Sequence, residues 1–307
     1  MNIVRRVREK YGPYIRWKRN LVRAITAGSL VCETAHGPVE YAIDGGAGPV
    51  VSIFHGGPGG YDQARVLFGD LFGRGFRVLS WSRPGYVRTP LETGRTFEEQ
   101  AEVFASLMDA LGIERTAVLA FSAGAPSAVH LASRHADRVW ALILECAVSL
   151  RYELSSDNIG EHLFFRHLMF NDPALWLADV AAHRAPALAG MAAVKMESTL
   201  DEEDVLHLLV HILKDPPRVQ TLMDLIRSMS PSRLRTKGLV NDLEQLARMD
   251  PLPLGMVSAP TLVIHGTDDH DVLVDHAIHA ARTIPAAELY LVKNGFHIMA
   301  LTDAAHD

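Results

Sequence analysis

Cysteine is almost missing from this chain: two residues, Cys32 and Cys146, in 307. At most one bridge is available, and both cysteines lie in apolar runs that read as strands. This argues against a disulfide scaffold and for a reducing compartment, with the cytoplasm as the expected location. No apolar run approaches the roughly 18 to 20 residues that span a bilayer. The N-terminus, MNIVRRVREKYGPYIRWKRN, lacks the apolar h-region of a secretory signal, so neither a span nor an export signal is expected. Internal repeats and low-complexity segments are also missing, which sets aside solenoids and disordered tails.

Charge is unevenly spread. Residues 1 to 23 carry eight Lys and Arg against one Glu, +7, whereas the chain as a whole carries −6. The acidic body gives no sign of a nucleic-acid partner, which a basic surface would bind. Tyr11, Tyr14 and Trp17 among Arg16, Lys18 and Arg19 suit weak contact with an anionic membrane surface. A helix packed on its own body, or on a second copy in a homo-oligomer, is the plainer reading, because no clear apolar face is visible. With 48% apolar residues, the chain is long enough for one sizeable core and an inserted or appended subdomain.

After residue 30 the pattern alternates. LVCETAHGPVEYAI reads as a hairpin around His36-Gly37-Pro38. Strands follow at 49 to 54, 76 to 81, 116 to 121 and 139 to 148, separated by helical stretches, one of them opened by a Thr96 to Glu99 capping box. Nearly continuous apolar strands alternating with helices predict an α/β fold with a mostly parallel sheet covered on both faces. From 150 to 255 the strand signal stops and helical patches replace it. One of them, STLDEEDVLHLLVHILKD, predicts a capping box at Thr199 and Glu202. Strands resume at 260 to 266 and 287 to 292. The expected organisation is a basic N-terminal segment at 1–30, a core at 31–149 and 256–307, and a helical cap at 150–255.

The stretch LAFSAGAPSA, residues 119 to 128, places Ser122 between small residues where a strand meets a helix. Such a turn exposes a nucleophilic hydroxyl at the top of a sheet. Acyl transfer also needs a base, an acid to orient it and donors for the oxyanion. His297, past the last strand, is the candidate base, and Asp269, past the preceding strand, the candidate acid. Asp268, Asp271 and Glu145 are neighbouring rivals for the acid. Loops at the carboxyl ends of parallel strands converge, so distance in sequence is no obstacle. In FHGGPGG, residues 54 to 60, Gly57 is the candidate oxyanion donor, with the N–H of Ala123 at a helix start as its partner.

The motifs His55-Gly56-Gly57-Pro58-Gly59, Ser82-Arg83-Pro84-Gly85-Tyr86, Ala120-Phe121-Ser122-Ala123-Gly124, His265-Gly266-Thr267-Asp268-Asp269 and Gly295-Phe296-His297, in that order, resemble the α/β-hydrolase superfamily over residues 30 to 300. The resemblance implies an α/β-hydrolase fold with a helical cap over the site and no required metal or organic cofactor. Ala120 stands in place of the elbow's usual first glycine, and Leu273 where a proline often follows the acid loop. The chain stops ten residues after His297, where the family usually closes with a helix, so it is truncated or that helix is short. HGGPG is similar to the proline iminopeptidases, but Ala123 replaces the Trp usual after their serine.

The sequence thus points to a serine hydrolase acting on a small-molecule carboxylic ester with an apolar acyl or alkyl part. One alternative is an iminopeptidase, for which a cap carboxylate such as Glu153, Asp157 or Glu161 would bind the free amine. Another is a non-catalytic binding or signalling protein on the same fold. His207 and His211 have zinc-like spacing, but Leu208 occupies the place of the glutamate in H-E-x-x-H, so no metal site is expected there. Phe164, Phe165, Met169, Phe170, Trp176 and Met223 are candidates for an acyl pocket, with core packing the plainer reading of each.

Overall fold

The structure, a computed structural model, describes residues 3–152 and 171–302. One sheet of eight strands organises it: β1 (Leu30–Thr34), β2 (Gly37–Gly45), β3 (Val50–Phe54), β4 (Arg77–Trp81), β5 (Thr116–Phe121), β6 (Val139–Glu145), β7 (Thr261–Gly266) and β8 (Glu288–Val292), in the order β1-β2-β4-β3-β5-β6-β7-β8. The hairpin β1-β2 is antiparallel and pairs antiparallel to β4, whereas β4 to β8 are parallel throughout. Every residue of central β5 is buried, which is why TAVLAF shows no alternation of apolar and polar positions. Phe54, Trp81 and Phe104 pack together under the sheet with ring centroids 4.6 to 5.2 Å apart.

Helices α1 (Ile3–Ala27), α2 (Tyr61–Leu67), α3 (Phe97–Ala110) and α4 (Ala125–Arg134) precede the inserted segment. The α3 capping box forms as read: Thr96 Oγ1 accepts from Glu99 N, and Glu99 Oε2 accepts from Thr96 N. Between β6 and β7 lie α5 (Asp172–Arg184), α6 (Pro186–Glu197), α7 (Glu202–Lys214), α8 (Pro216–Ser228) and α9 (Thr236–Arg248); α10 (Val274–Thr283) joins β7 to β8. Helix α6 gives no periodic signal in sequence because PALAGMAAVKME is small or apolar on every side, and its packing between α5 and α7 fixes it.

The expected cap at Thr199 is corrected by the structure. Asp201 caps α7, its Oδ1 accepting from Glu203 N at 3.0 Å and Asp204 N at 2.9 Å. Thr199 is engaged elsewhere: its N–H goes to Asp268 O at 2.9 Å, beside a bridge between Ser198 and Asp269. A carboxylate takes two orphan N–H groups at once, which a hydroxyl does poorly.

Helix α1 packs on its own chain. Trp17 Nε1 donates to Asp179 Oδ2 at 2.8 Å, Lys18 pairs with Asp172, and Tyr14 meets Trp176 edge-on with centroids 5.8 Å apart. Near its end, Ile25 is buried against Tyr61 and Ala42, and Tyr61 Oη donates to Ile25 O. The helix therefore ties α5 to the sheet.

Candidate active site

The chain leaves β5 at Phe121 in extended conformation and turns at once, Ser122 adopting a φ of 52°. An L residue adopts this left-handed conformation at a cost of about 1 to 3 kcal/mol, which the surrounding packing must offset. Gly124 makes the turn possible: a Cβ there would run into the carbonyl oxygens of Phe54 and His55 on the neighbouring strand. Ser122 is buried, yet it lines a narrow cleft together with Gly57, Ala123, Val148, Tyr152, Leu239, Asp242, Leu243, Leu246, Asp271 and Val272.

Asp269 follows β7, and its carboxylate is fully engaged. Oδ1 accepts from Asp271 N and Val272 N, both at 2.9 Å, and Oδ2 stands 2.8 Å from His297 Nδ1. The loops carrying the pair are stitched together by Thr267 N to Val292 O at 3.0 Å and Asp268 N to Gly295 O at 2.8 Å. This makes Nδ1 the protonated nitrogen of His297 and leaves Nε2 to accept. His265 supports the same loop, its Nε2 donating to Val272 O at 2.7 Å.

Electrostatics favour a basic imidazole. Burial alone would lower His297, but Asp269, by charge and hydrogen bond, with Cys146 and Asp271 adding to it, holds it well above its ordinary value. Asp271 Oδ2 lies 3.6 Å from His297 Nε2. Among the described residues no hydrogen bond joins Ser122 Oγ to His297; the imidazole instead lies against the Phe121 ring, centroids 5.0 Å apart. Glu145, the rival acid, makes no hydrogen bond to His297, and burial pushes its carboxyl up to about 7.

The structure therefore brings Asp269 and His297 together and sets Ser122, Gly57 and Ala123 side by side on the cleft. Glu153, Asp157, Glu161, Phe164, Phe165, Met169 and Phe170 lie outside the described residues. Trp176 packs on Tyr14, and neither it nor Met223 is among the described residues that line the cleft. The apolar wall comes from α9 and the loops after β6 and β7. His207 and His211 sit on the exposed side of α7.

A cluster of potential metal donors, Cys146, His265 and Asp269, lies within 4.8 Å. Asp269 is committed to three N–H groups and burial pushes the Cys146 thiol up to about 12, while His265 holds a carbonyl through Nε2 and keeps a buried Nδ1 without a hydrogen-bond partner. A thiol that stays protonated is a poor metal ligand and a poor nucleophile.

The sequence reading missed Asp242 and Tyr152. Asp242 had a visible signal. It lies on the apolar face of α9 with Leu239, Leu243 and Leu246, where a lone carboxylate needs a buried partner. That partner is Arg83, which gives its guanidinium to both Asp242 oxygens.

A family model described as the alpha/beta hydrolase fold matches residues 49–304. A solved alpha/beta hydrolase fold protein from Nakamurella multipartita is 36% identical, covers 91% of this chain and 98% of its own, and superposes with a TM-score of 0.79. The uncharacterized hydrolase YcgS of Bacillus subtilis (strain 168) is 29% identical over 86% of this chain and 89% of its own. The 2-hydroxy-6-oxo-6-phenylhexa-2,4-dienoate hydrolase of Burkholderia cepacia is 24% identical over 81% of each chain. With the sheet order, the serine turn and the Asp269–His297 pair beside them, these matches make the chain a hydrolase belonging to the alpha/beta hydrolase fold family.

Proposed function

We propose that the protein is a serine hydrolase that cleaves a carboxylic ester with an apolar acyl or alkyl part through an acyl-enzyme. The observation that carries this reading is Ser122, held at a φ of 52° on the cleft that Asp271 and Val272 of the Asp269 loop also line, with Asp269 paired to His297. Ser122 Oγ attacks the ester carbonyl while His297 Nε2 takes its proton. The proton then goes to the departing alcohol, and water repeats the sequence to release the acid. Asp269 keeps the imidazole in the tautomer with Nδ1–H. Gly57 and Ala123 N–H groups hold the oxyanion, each such donor being worth roughly 2.7 to 4 kcal/mol in the transition state.

The reading requires Ser122 Oγ and His297 Nε2 to close to hydrogen-bond distance when substrate binds. Such contacts are commonly long in free enzymes. Val148, Leu239, Leu243, Leu246 and Val272 on the cleft support an apolar substituent. No Lys or Arg is among the cleft's described lining residues, which favours a neutral ester over a carboxylate such as the dienoate in the name of the Burkholderia relative.

An iminopeptidase reading draws support from Asp242, a carboxylate of the inserted helices beside the cleft, although Arg83 already matches its charge. A binding-protein reading draws support from the unmade bond between Ser122 and His297. One experiment separates the three: p-nitrophenyl esters of increasing acyl length, beside proline p-nitroanilide, with wild type and Ser122→Ala. Ester turnover that the substitution abolishes is the expected result. Turnover of the anilide alone selects the iminopeptidase, and folded protein without any turnover selects the binding protein.

A further inference from the structure

Two guanidinium–carboxylate pairs tie α9 to the loop after β4 and to α2, and both guanidinium groups also bond to the loop that carries Gly57. Arg83, on the loop after β4, is fully buried; its Nη1 and Nη2 donate to Asp242 on α9 at 2.9 and 2.5 Å, and Nη1 also reaches Gln100 Oε1 at 3.2 Å. Tyr86 Oη adds a third bond to Asp242, at 2.6 Å. With its charge so neutralised, Arg83 turns Nε to His55 O and its backbone N–H to His55 Nε2, both at 3.0 Å. His55 is neutral in this setting: burial first, and Arg83 beside it, hold the imidazole well below its ordinary value. Its Nδ1 then donates to Gly56 O at 2.6 Å.

The other end of the loop is held by Arg235, at the start of α9. It donates to both oxygens of Asp62, at 3.0 and 2.7 Å, and its Nη1 also reaches Gly59 O at 2.6 Å. Gly57 lies between the two anchors with no room to spare: a Cβ there would stand 3.1 Å from Tyr86 Oη and 3.3 Å from Leu239 Cδ1. Both anchors are more elaborate than docking an apolar helix requires, and both end on backbone carbonyls of the same six-residue loop.

We propose that Asp242 and Arg235 are positioning residues for the oxyanion hole, so that α9 completes the catalytic centre by fixing the loop that presents Gly57. The proposal rests on the reading of Gly57 as an oxyanion donor. It makes α9 a fixed wall of the site. A shift of about 1 Å in a reacting group costs on the order of a hundredfold in rate, which is the scale on which a loosened loop would act.

The test uses Arg235→Lys and Tyr86→Phe, which keep the buried charges in place, together with Asp242→Asn, and Leu239→Ala as a pocket control. All are assayed well below their melting transitions. Three quantities are read: kcat and KM for the best p-nitrophenyl ester, the affinity for an alkyl trifluoromethyl ketone, whose serine adduct puts an oxyanion in the hole, and hydrogen exchange of the amides of residues 55–60. The expected result for the three anchor variants is a kcat lower by about tenfold to a hundredfold, a KM within about threefold of wild type, ketone affinity weakened by the same factor as kcat, and faster exchange in the loop. Leu239→Ala should alter KM and chain-length preference with the ketone-to-ester ratio kept. A raised KM with kcat, ketone affinity and exchange all at wild-type values overturns the proposal. If wild type neither turns over esters nor binds the ketone, the ester reading fails by itself. Exchange then decides the anchors: lost protection in the variants supports them and unchanged protection overturns them.

Discussion

His297 Nδ1 and Asp269 Oδ2 stand 2.8 Å apart across two loops that leave neighbouring strands, while Glu145, a carboxylate on the next strand over, makes no bond to the imidazole. In the proposed mechanism this geometry favours Asp269 over Glu145 as the acid that orients the base. Asp269→Asn should lower kcat for ester hydrolysis by roughly 10³ to 10⁴, the scale expected when the wrong imidazole tautomer is favoured. Glu145→Gln should stay within about threefold of wild type. Steady-state kinetics of both variants checks this, and the opposite ranking would transfer the role to Glu145.

The pH profile follows from the groups around His297. As a base it must be neutral, and the carboxylates of Asp269 and Asp271 hold its proton more tightly than in an ordinary histidine. The acidic limb of kcat/KM should therefore have its midpoint above 6.5, the ordinary value. Asp271→Asn removes one of the two charges and should move that limb toward acid, raising relative activity at low pH. A limb that stays in place would take Asp271 out of the electrostatics of the base.

His276 sets a stability limit on the acid side. Its Nδ1 accepts from Ser149 N and Leu150 N at 3.0 and 3.1 Å, where the chain leaves the sheet for the inserted helices. Burial, with His265 nearby, lowers the imidazole from 6.5 to about 4. The folded-state value is depressed, so the unfolded chain binds the proton first. The His276 contribution is intact above pH 6.5 and is lost as pH falls toward 4, an effect on the order of 3 kcal/mol. Denaturant melts at pH 7.5 and 5 should differ by less in His276→Gln than in wild type; an equal difference would contradict the assignment.

The serine turn should tolerate no side chain at Gly124, because the Phe54 and His55 carbonyl oxygens occupy the space. Gly124→Ala is expected to cost about 1 to 3 kcal/mol or more in stability from overpacking and to reduce ester turnover by displacing Ser122. A variant with wild-type melting and turnover would show that the strand and helix can separate there at no cost.

Much of the fold was legible because central strands buried on both faces read as unbroken apolar runs, and β5, TAVLAF, is the clearest. Ser122, Asp269 and His297 stand out as candidates because strand ends are where a parallel sheet gathers its chemistry. Helix α6 was not, since a helix apolar on all sides has no period to detect. The α7 cap was misread because Thr199 spends its backbone N–H on the acid loop, a long-range bond that no local pattern signals. The pairing of Arg83 with Asp242 spans 159 residues. Its only trace in sequence is a charged residue on the apolar face of an amphipathic helix.

The central claim is that Ser122 carries the acyl group, and the most direct measurement is the mass of the Ser122 peptide after an acid quench during turnover of a p-nitrophenyl ester. The account predicts that a fraction of this peptide gains the mass of the acyl group in wild type, with no adduct and no turnover in Ser122→Ala. Turnover with an unmodified Ser122, or an adduct on another residue such as Cys146, would contradict it.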